Sequence, residues 1–429
     1  MIETTAASPD AATIIFNLPD YRVTGADVLA FGQRRIRVES TLEAGCRGCG
    51  TISHRRHSRR FQRIRDILVG GPVEVLWHKR RFFCDETGCP RKTFAEATPQ
   101  VPAFSRSTAR LRTALVEAVI SSGRSATETA TGFGVSWWLV QRALNAAVLA
   151  LPDVDTLAPR MLGIDEHRYR SVRFFQNPTT RVWTRYEPWM STIVDLDTGQ
   201  VLGVVDGRDS TGVGEWLKAR PLAWRLGVQV VAIDPSAAFR RALRMWLPRT
   251  AVPVDAFHLS MLGNNMVAEV RQRLTQETRG LRGRAADPVW ANRRLLLKGA
   301  EKLSERARNR LEVVFAVDDS TGRLETAWRV KEALRALLGA GTIAEADAAK
   351  ATLKDLVEKA GQPETTRLFR TVCRWWDEIE VLIVTGATTA KVEANNTAIK
   401  NIKRTGRGFV NSANYKTRIL LRSAARTAR

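Results

Sequence analysis

Two short apolar runs, each closed by an aspartate, constrain this chain more than any other feature: MLGID, ending at Asp165, and VVAID, ending at Asp234. A brief, unbroken apolar run followed by polar or turn residues reads as a strand buried on both faces, the kind that parallel sheets use. In open α/β sheets the working groups collect at the carboxyl ends of such strands. Between the two runs, PWMSTIVDLDTGQVLGVVDG has the grammar of a hairpin, two apolar stretches joined at Asp197-Thr198-Gly199. Residues 210–219 read as a short helix opened by Ser210-Thr211. Pro235 and Ser236 open another, and AVPVDAFH supplies a further short strand.

Hairpin strands followed by parallel strands with crossover helices describe a mixed sheet. The expected fold is an α/β domain of the ribonuclease-H-like kind, first part 156–262. From 259 to 385 the strand pattern stops. Leu324, Ala327, Val330, Leu334 and Leu337 recur at helical spacing, as do Phe369, Val372, Trp376, Ile379 and Ile383. Residues 263–385 are therefore expected to form an all-helical insertion. The chain then returns to the sheet domain over 386–429. There Glu393 opens an amphipathic helix that turns strongly basic, with no further acid after it. On that helix Glu393, Asn396, Lys400, Lys403 and Arg407 recur at spacings of three or four, hence on one face, with Arg404 beside Lys403. Three carboxylates, Asp165, Asp234 and Glu393, thus become candidate ligands for hard divalent cations such as Mg²⁺. Glu166 competes with Asp165 for register, and Asp255 with Asp234; Asp255 and His258 are expected to support the site from behind.

Residues 1–103 hold four of the five cysteines, in two close pairs: Cys46-x2-Cys49 and Cys84-x4-Cys89. Paired thiolates on turns suit tetrahedral Zn²⁺, and a structural zinc is expected. His54 and His57 lie near the first pair, but four thiolates already fill the shell. PVEVLWHKRRFF alternates Val73, Val75 and Trp77 on one face and leads to Cys84. The same module carries HRRHSRRFQRIR, in which Arg55, Arg56, Arg59 and Arg60 are candidate phosphate contacts. Residues 104–155 follow with a helical pattern through Leu111, Leu115, Val119 and Ile120. SATETATGFGVSWWLVQRALNAAV then reads as helix, glycine turn, helix. This is helix-turn-helix grammar, with Ser136, Trp137, Gln141 and Arg142 expected toward a DNA groove.

Lys and Arg number 67 against 44 Asp and Glu, a net charge of +23. Such an excess favours a polyanionic partner, a nucleic acid. MIETTAASPD is acidic and no apolar h-region follows it, so no signal peptide is expected. No run is long enough to span a membrane, and a cytoplasmic location is expected. No GxxxxGK[ST] loop occurs, which disfavours an ATP-driven motor.

Taken as blocks, the sequence resembles the DDE transposases of bacterial insertion sequences, the ISL-three family. CRGCG and RRFFCDETGCPRKTFAE resemble that family's zinc module. GIDEHRYR and VVAIDPSAAFRRA resemble its first two catalytic blocks, and VDAFHLSMLGNN the block that follows. VEANNTAIKNIKRTGRGFVNSANYKTRILL resembles its last block. The lead-in to that last block, ATTAK, departs from the family's small polar-glycine pattern. The resemblance implies that Asp165, Asp234 and Glu393 form a triad for Mg²⁺ or Mn²⁺. It implies binding of terminal inverted repeats, DNA cleavage and strand transfer into target DNA, by a homodimer or higher assembly. An inactive, transposase-derived DNA-binding protein and a structure-specific nuclease are the alternatives.

Overall fold

A computed structural model describes residues 10–281, 283–387 and 390–428. Thr388 and Thr389 of the lead-in lie outside the described residues, as does most of the segment weighed as a signal peptide. Contacts divide the chain into two compact units, Met1–Leu151 with Ile402–Ala425, and Pro152–Asn401 with Arg426–Arg429.

The first unit begins with α1 (Ala11–Phe16), β1 (Tyr21–Val28), β2 (Arg34–Ser40), β3 (Arg56–Ile64), β4 (Val73–Phe83) and β5 (Thr93–Ala95). The strands are ordered β1-β2-β4-β3, and β5 pairs with the far end of β4. Val75 and Trp77 are fully buried, as the alternation predicts. They pack with Phe16, Tyr21, Val38, Ile64 and Val101. Lys79 takes the next inward place, where its ammonium sits 4.4 Å from the Trp77 ring centroid. Helices α2 (Ala109–Ile120), α3 (Ala126–Gly132) and α4 (Trp137–Leu149) follow. Thr108, Ser125 and Ser136 cap their N-termini, and Ser125 forms a reciprocal capping box with Glu128. Gly134, at φ +62°, makes the turn between α3 and α4.

The second unit is built on β6 (Met161–Arg168), β7 (Arg173–Gln176), β8 (Trp183–Tyr186), β9 (Trp189–Asp195), β10 (Val201–Asp206) and β11 (Val230–Ile233). Its main sheet is ordered β10-β9-β6-β11. β6 is antiparallel to β9 and parallel to β11. Parallel bridges Val230–Ala251 and Ile233–Val254 carry the sheet one position beyond β11, so the expected AVPVDAFH strand ends at Val254. β6 is longer than the MLGID run: it continues to Arg168 because β9 pairs with it throughout. β7 and β8 form a separate two-stranded hairpin that the sequence reading did not anticipate.

Helices α5 (Ser210–Lys218), α6 (Leu222–Gly227) and α7 (Ala237–Trp246) cover the sheet. Asp209 caps α5, one residue earlier than expected, and Ser236 caps α7. Then come α8 (Ala256–Arg279), α9 (Pro288–Ala291), α10 (Arg293–Leu296), α11 (Glu305–Val313), α12 (Arg323–Leu338), α13 (Ile343–Ala360), α14 (Pro363–Arg374) and α15 (Trp376–Thr385). The repeat from Phe369 to Ile383 falls on two helices, broken at Trp375, rather than one. The block is not a separate body. Leu162, Ile164 and Ile233 of the sheet share one apolar core with Val267, Leu334 and Leu353 of the helices.

Two further helices complete the chain, α16 (Ala390–Thr405) and α17 (Ser412–Thr427). Val392, Asn395, Asn396 and Ile399 form the buried side of α16. Lys391 and Asn395 donate to the Asp197 and Gly199 carbonyls of the β9–β10 turn, at 2.7 and 2.9 Å. The grouping departs from expectation here, because residues 402–425 belong with the first unit. Leu421 of α17 enters the core of α2, α3 and α4. Arg418 and Arg422 donate to the Arg124, Ile120 and Ser121 carbonyls.

Gly163 is a close-approach position. A methyl group there would overlap the Val392 side chain of α16 and lie 2.9 Å from Leu196 Cδ2. Gly163→Ala should therefore cost about 1–3 kcal/mol through overpacking. The urea midpoint of the second unit measures this, and an unchanged midpoint would mean that α16 does not pack on β6.

Candidate active site and nucleic-acid interface

Register brings the two aspartates together. β6 and β11 pair in parallel, and the last matched residues are Ile164 and Ile233. Asp165 and Asp234 are next in line on adjoining strands and emerge on the same face. The Ile233–Val254 bridge repeats the step, so Asp255 follows in the third strand. Asp165 Oδ1 accepts from the Glu166 amide at 2.6 Å, and its other oxygen accepts from Asn396 of α16. Burial, together with the neighbouring Asp234 carboxylate, pushes Asp165 up to about 7. Glu166 is also raised, first by burial and then by Asp234. It alternates onto the opposite side of β6 from Asp165, the side on which Leu162 and Ile164 enter the core.

His258, in the first turn of α8, bridges two of these acids. Its Nδ1 lies 3.0 Å from Asp234 Oδ1 and 2.7 Å from Asp255 Oδ2. Hydrogen bonds to Asp234 and Asp255 raise it to about 10, so it contributes one positive charge near neutral pH. Asp255 also caps α8 through the Phe257 amide, which fixes the carboxylate that holds the histidine. Asp234, Asp255 and His258 bring ligand atoms within 4.8 Å of one another. Glu393 is not part of that cluster: it is exposed on the first turn of α16. It precedes Asn396 by three residues, about 4.5 Å of helix rise, on the same helix that reaches Asp165.

The four cysteines converge as expected. Cys46 and Cys89 Sγ are 3.9 Å apart, and Cys49 and Cys84 Sγ 3.6 Å apart. All four sulfurs fall within 4.8 Å of one another. A tetrahedral zinc with Zn–S bonds of about 2.3 Å requires sulfurs about 3.8 Å apart, so this set fits the ion. Backbone geometry shapes the first knuckle. Gly50, at φ +78°, closes the turn, and the Gly48 amide lies 3.5 Å from Cys46 Sγ. A side chain at Gly48 would crowd Cys89 Sγ.

A family model described as a transposase matches residues 162–419. A second, the zinc-finger of transposases IS204, IS1001, IS1096 and IS1165, matches 43–89. A third, the helix-turn-helix domain of transposase family ISL3, matches 96–148. The chain belongs to the ISL3 transposase family. No curated protein matches it. Among the described residues, no helix is long and apolar enough to cross a membrane.

In this transposase Arg56, Arg59 and Arg60 lie on β3, an edge strand, and Arg55 directly precedes it. Arg55, Arg56, Arg59 and Arg60 are all exposed, and Arg55 pairs with Asp85 at 3.1 Å. Charges on an edge strand also block unwanted pairing, so exposure alone does not define a binding surface. The cleft beside the strand adds to it. Arg47, Arg81, Arg91 and Arg106 line it with Arg59 and Arg60, and its acid, Glu96, is paired with Arg80 at 2.7 Å. Sequence reading missed these partners because they come from separate segments.

In the helix-turn-helix, Ser136, Trp137 and Arg142 are exposed. Gln141 is corrected: it is buried, with its amide on Asn145, because it lies on the core side of α4 beside Val140 and Leu144. Trp138, 68 % exposed, stands outside instead. Arg407 is corrected too. α16 ends at Thr405, and Arg407 sits beyond it at φ +54°, between Gly406 and Gly408, paired with Glu128 at 2.8 Å. Lys400 and Arg404 remain exposed on α16, and Lys403 is half-buried.

Cys84→Ser should remove zinc and unfold the ribbon. Metal analysis should find one zinc per chain in the parent and none in the variant; a folded, zinc-free ribbon would contradict the site. Replacing Arg55, Arg56, Arg59 and Arg60 together by Ala should flatten the log–log salt dependence of DNA binding by up to roughly 0.9 per lost phosphate contact. An unchanged slope would assign the strand to edge protection.

Proposed function

We propose that this ISL3-family protein is an active DNA transposase that binds the terminal inverted repeats of an insertion sequence, cuts at the element's ends and joins them to target DNA. The observation that carries this reading is the register of β6 and β11, which sets Asp165 beside Asp234 under a helix bearing Glu393. The strand order, with a central strand antiparallel on one side and parallel on the other, supports a ribonuclease-H-like domain.

Two desolvated carboxylates side by side suit a hard cation. Asp165, Asp234 and Glu393 are the residues we assign to hold Mg²⁺ or Mn²⁺. When bound, such ions activate water and stabilise the leaving oxygen of a phosphodiester. Water attacks the phosphodiester at the element's end and frees a 3′-hydroxyl, which then attacks target DNA. No covalent protein–DNA bond is needed. Asn396 orients Asp165, while Asp255 and His258 hold Asp234. Lys400, Lys403 and Arg404 follow Glu393 along α16 and attract the phosphate backbone. Arg55, Arg56, Arg59 and Arg60 hold the phosphates of the repeat, and Ser136, Trp137 and Arg142 read its bases. Joining two ends calls for a homodimer or higher assembly, acting on the bacterial nucleoid.

A strand-joining assay with a terminal-repeat duplex, a target plasmid and Mg²⁺ or Mn²⁺ tests the proposal. The parent should join strands. Asp165→Asn and Glu393→Gln should each lower joining by about 10²–10³-fold, a loss of the size seen when preorganised transition-state stabilisation is removed, while keeping duplex affinity. Cutting without joining would indicate a nuclease. Binding without cutting would indicate an inactive derivative.

A further inference from the structure

Between Asp165 and the return of the chain into β9 stands the hairpin of β7 and β8. All eight of its strand residues are exposed. They include Phe174 at 60 %, Phe175 at 54 %, Trp183 at 62 % and Tyr186 at 48 %. Large rings clustered in solvent mark interaction surfaces, since folding alone does not favour exposing them.

The register distributes the rings over both sides. Arg173 faces Tyr186 and Phe175 faces Thr184 on one side; Phe174 faces Arg185 and Gln176 faces Trp183 on the other. Phe175 and Tyr186 centroids are 6.1 Å apart. Each side therefore pairs aromatic rings with a guanidinium. No acid occurs from Arg168 to Tyr186.

The hairpin is also built. At its tip, Asn177 Oδ1 accepts from the Thr179 and Thr180 amides at 2.9 and 3.0 Å. The Asn177 amide and carbonyl bond Val182 and Arg181, and Arg181 holds φ +61°. At its foot, Glu187 pairs with Arg185 at 2.5 Å and accepts from Trp189 Nε1 at 2.7 Å. A two-stranded ribbon is marginal by itself, so these contacts hold it out as a defined finger. It leaves β6 only a few residues after Asp165.

We propose that this hairpin binds single-stranded DNA, its rings stacking on unpaired bases and its arginines meeting the adjoining phosphates. The proposal rests on the transposase reading, and it adds a role for unpaired bases near the cleaved ends. Aromatic rings with guanidinium groups are the general platform for single-stranded nucleic acid. Duplex bases already stack on one another, so exposed rings on both sides of a narrow ribbon suit bases that have left the helix.

The test uses the full-length protein, a fluorescein-labelled oligo-deoxythymidine strand and a blunt duplex, with anisotropy for affinity. Phe174→Ala with Trp183→Ala should weaken oligo-deoxythymidine binding by at least about tenfold, the loss expected for one base–ring stack, and leave duplex affinity unchanged. Phe174→Tyr with Trp183→Phe should restore it. Unchanged oligo-deoxythymidine affinity overturns the proposal, as does a parallel loss on both probes. It is equally overturned if the alanine pair loses only self-association by sedimentation, which would make the patch a contact with a second copy. A parent that joins no strands yet binds oligo-deoxythymidine through these rings refutes the transposase reading and leaves the hairpin assignment standing.

Discussion

The parallel pairing of β6 with β11 is the constraint on which the second unit depends. It is short, ending at Ile164 and Ile233. Beyond it, β11 stops while β6 continues against β9. The gap opened at that point is where Asp165 and Asp234 emerge. A slip of one residue in either strand would turn its carboxylate to the other face of the sheet, away from its neighbour's. The buried isoleucines, valines and leucines that hold the register therefore also hold the acids.

The environment around those acids is arranged in layers. Asn396 and the Glu166 amide occupy Asp165. His258, clamped by Asp255, occupies one side of Asp234. Burial raises Asp165 and Glu166, and His258 sets one imidazolium against Asp234 and Asp255. Glu393 stands apart from these groups, exposed on α16.

Much of this was legible in the sequence. Apolar runs ending in acids located β6 and β11, because fully buried strands leave little freedom in composition. The cysteine pairs located the ribbon for the same reason: tetrahedral thiolate coordination tolerates few spacings. The failures also have physical causes. Gln141 has a polar side chain, yet α4 turns it inward and satisfies it with Asn145. Arg407 matched the helical spacing, but the flanking Gly406 and Gly408 end the helix first. The β7–β8 hairpin was missed because neither of its faces is buried, so no alternation marks it. The attachment of α17 to the helix-turn-helix rests on tertiary packing of Leu421, which no local pattern announces.

That last attachment sets an order of events during synthesis. Domains usually fold from the N-terminus as the chain emerges. Here the core of α2, α3 and α4 is completed by a leucine made some 270 residues after α4 ends. Most of the second unit is synthesised in that interval, so contacts between distant segments must form late and slowly. A ribosome that stalls within the helical block releases a chain whose DNA-reading helices lack their closing residue. Such a chain would also lose the bonds from Arg418 and Arg422 to the Arg124, Ile120 and Ser121 carbonyls, and the helix-turn-helix core would be left open where α17 packs.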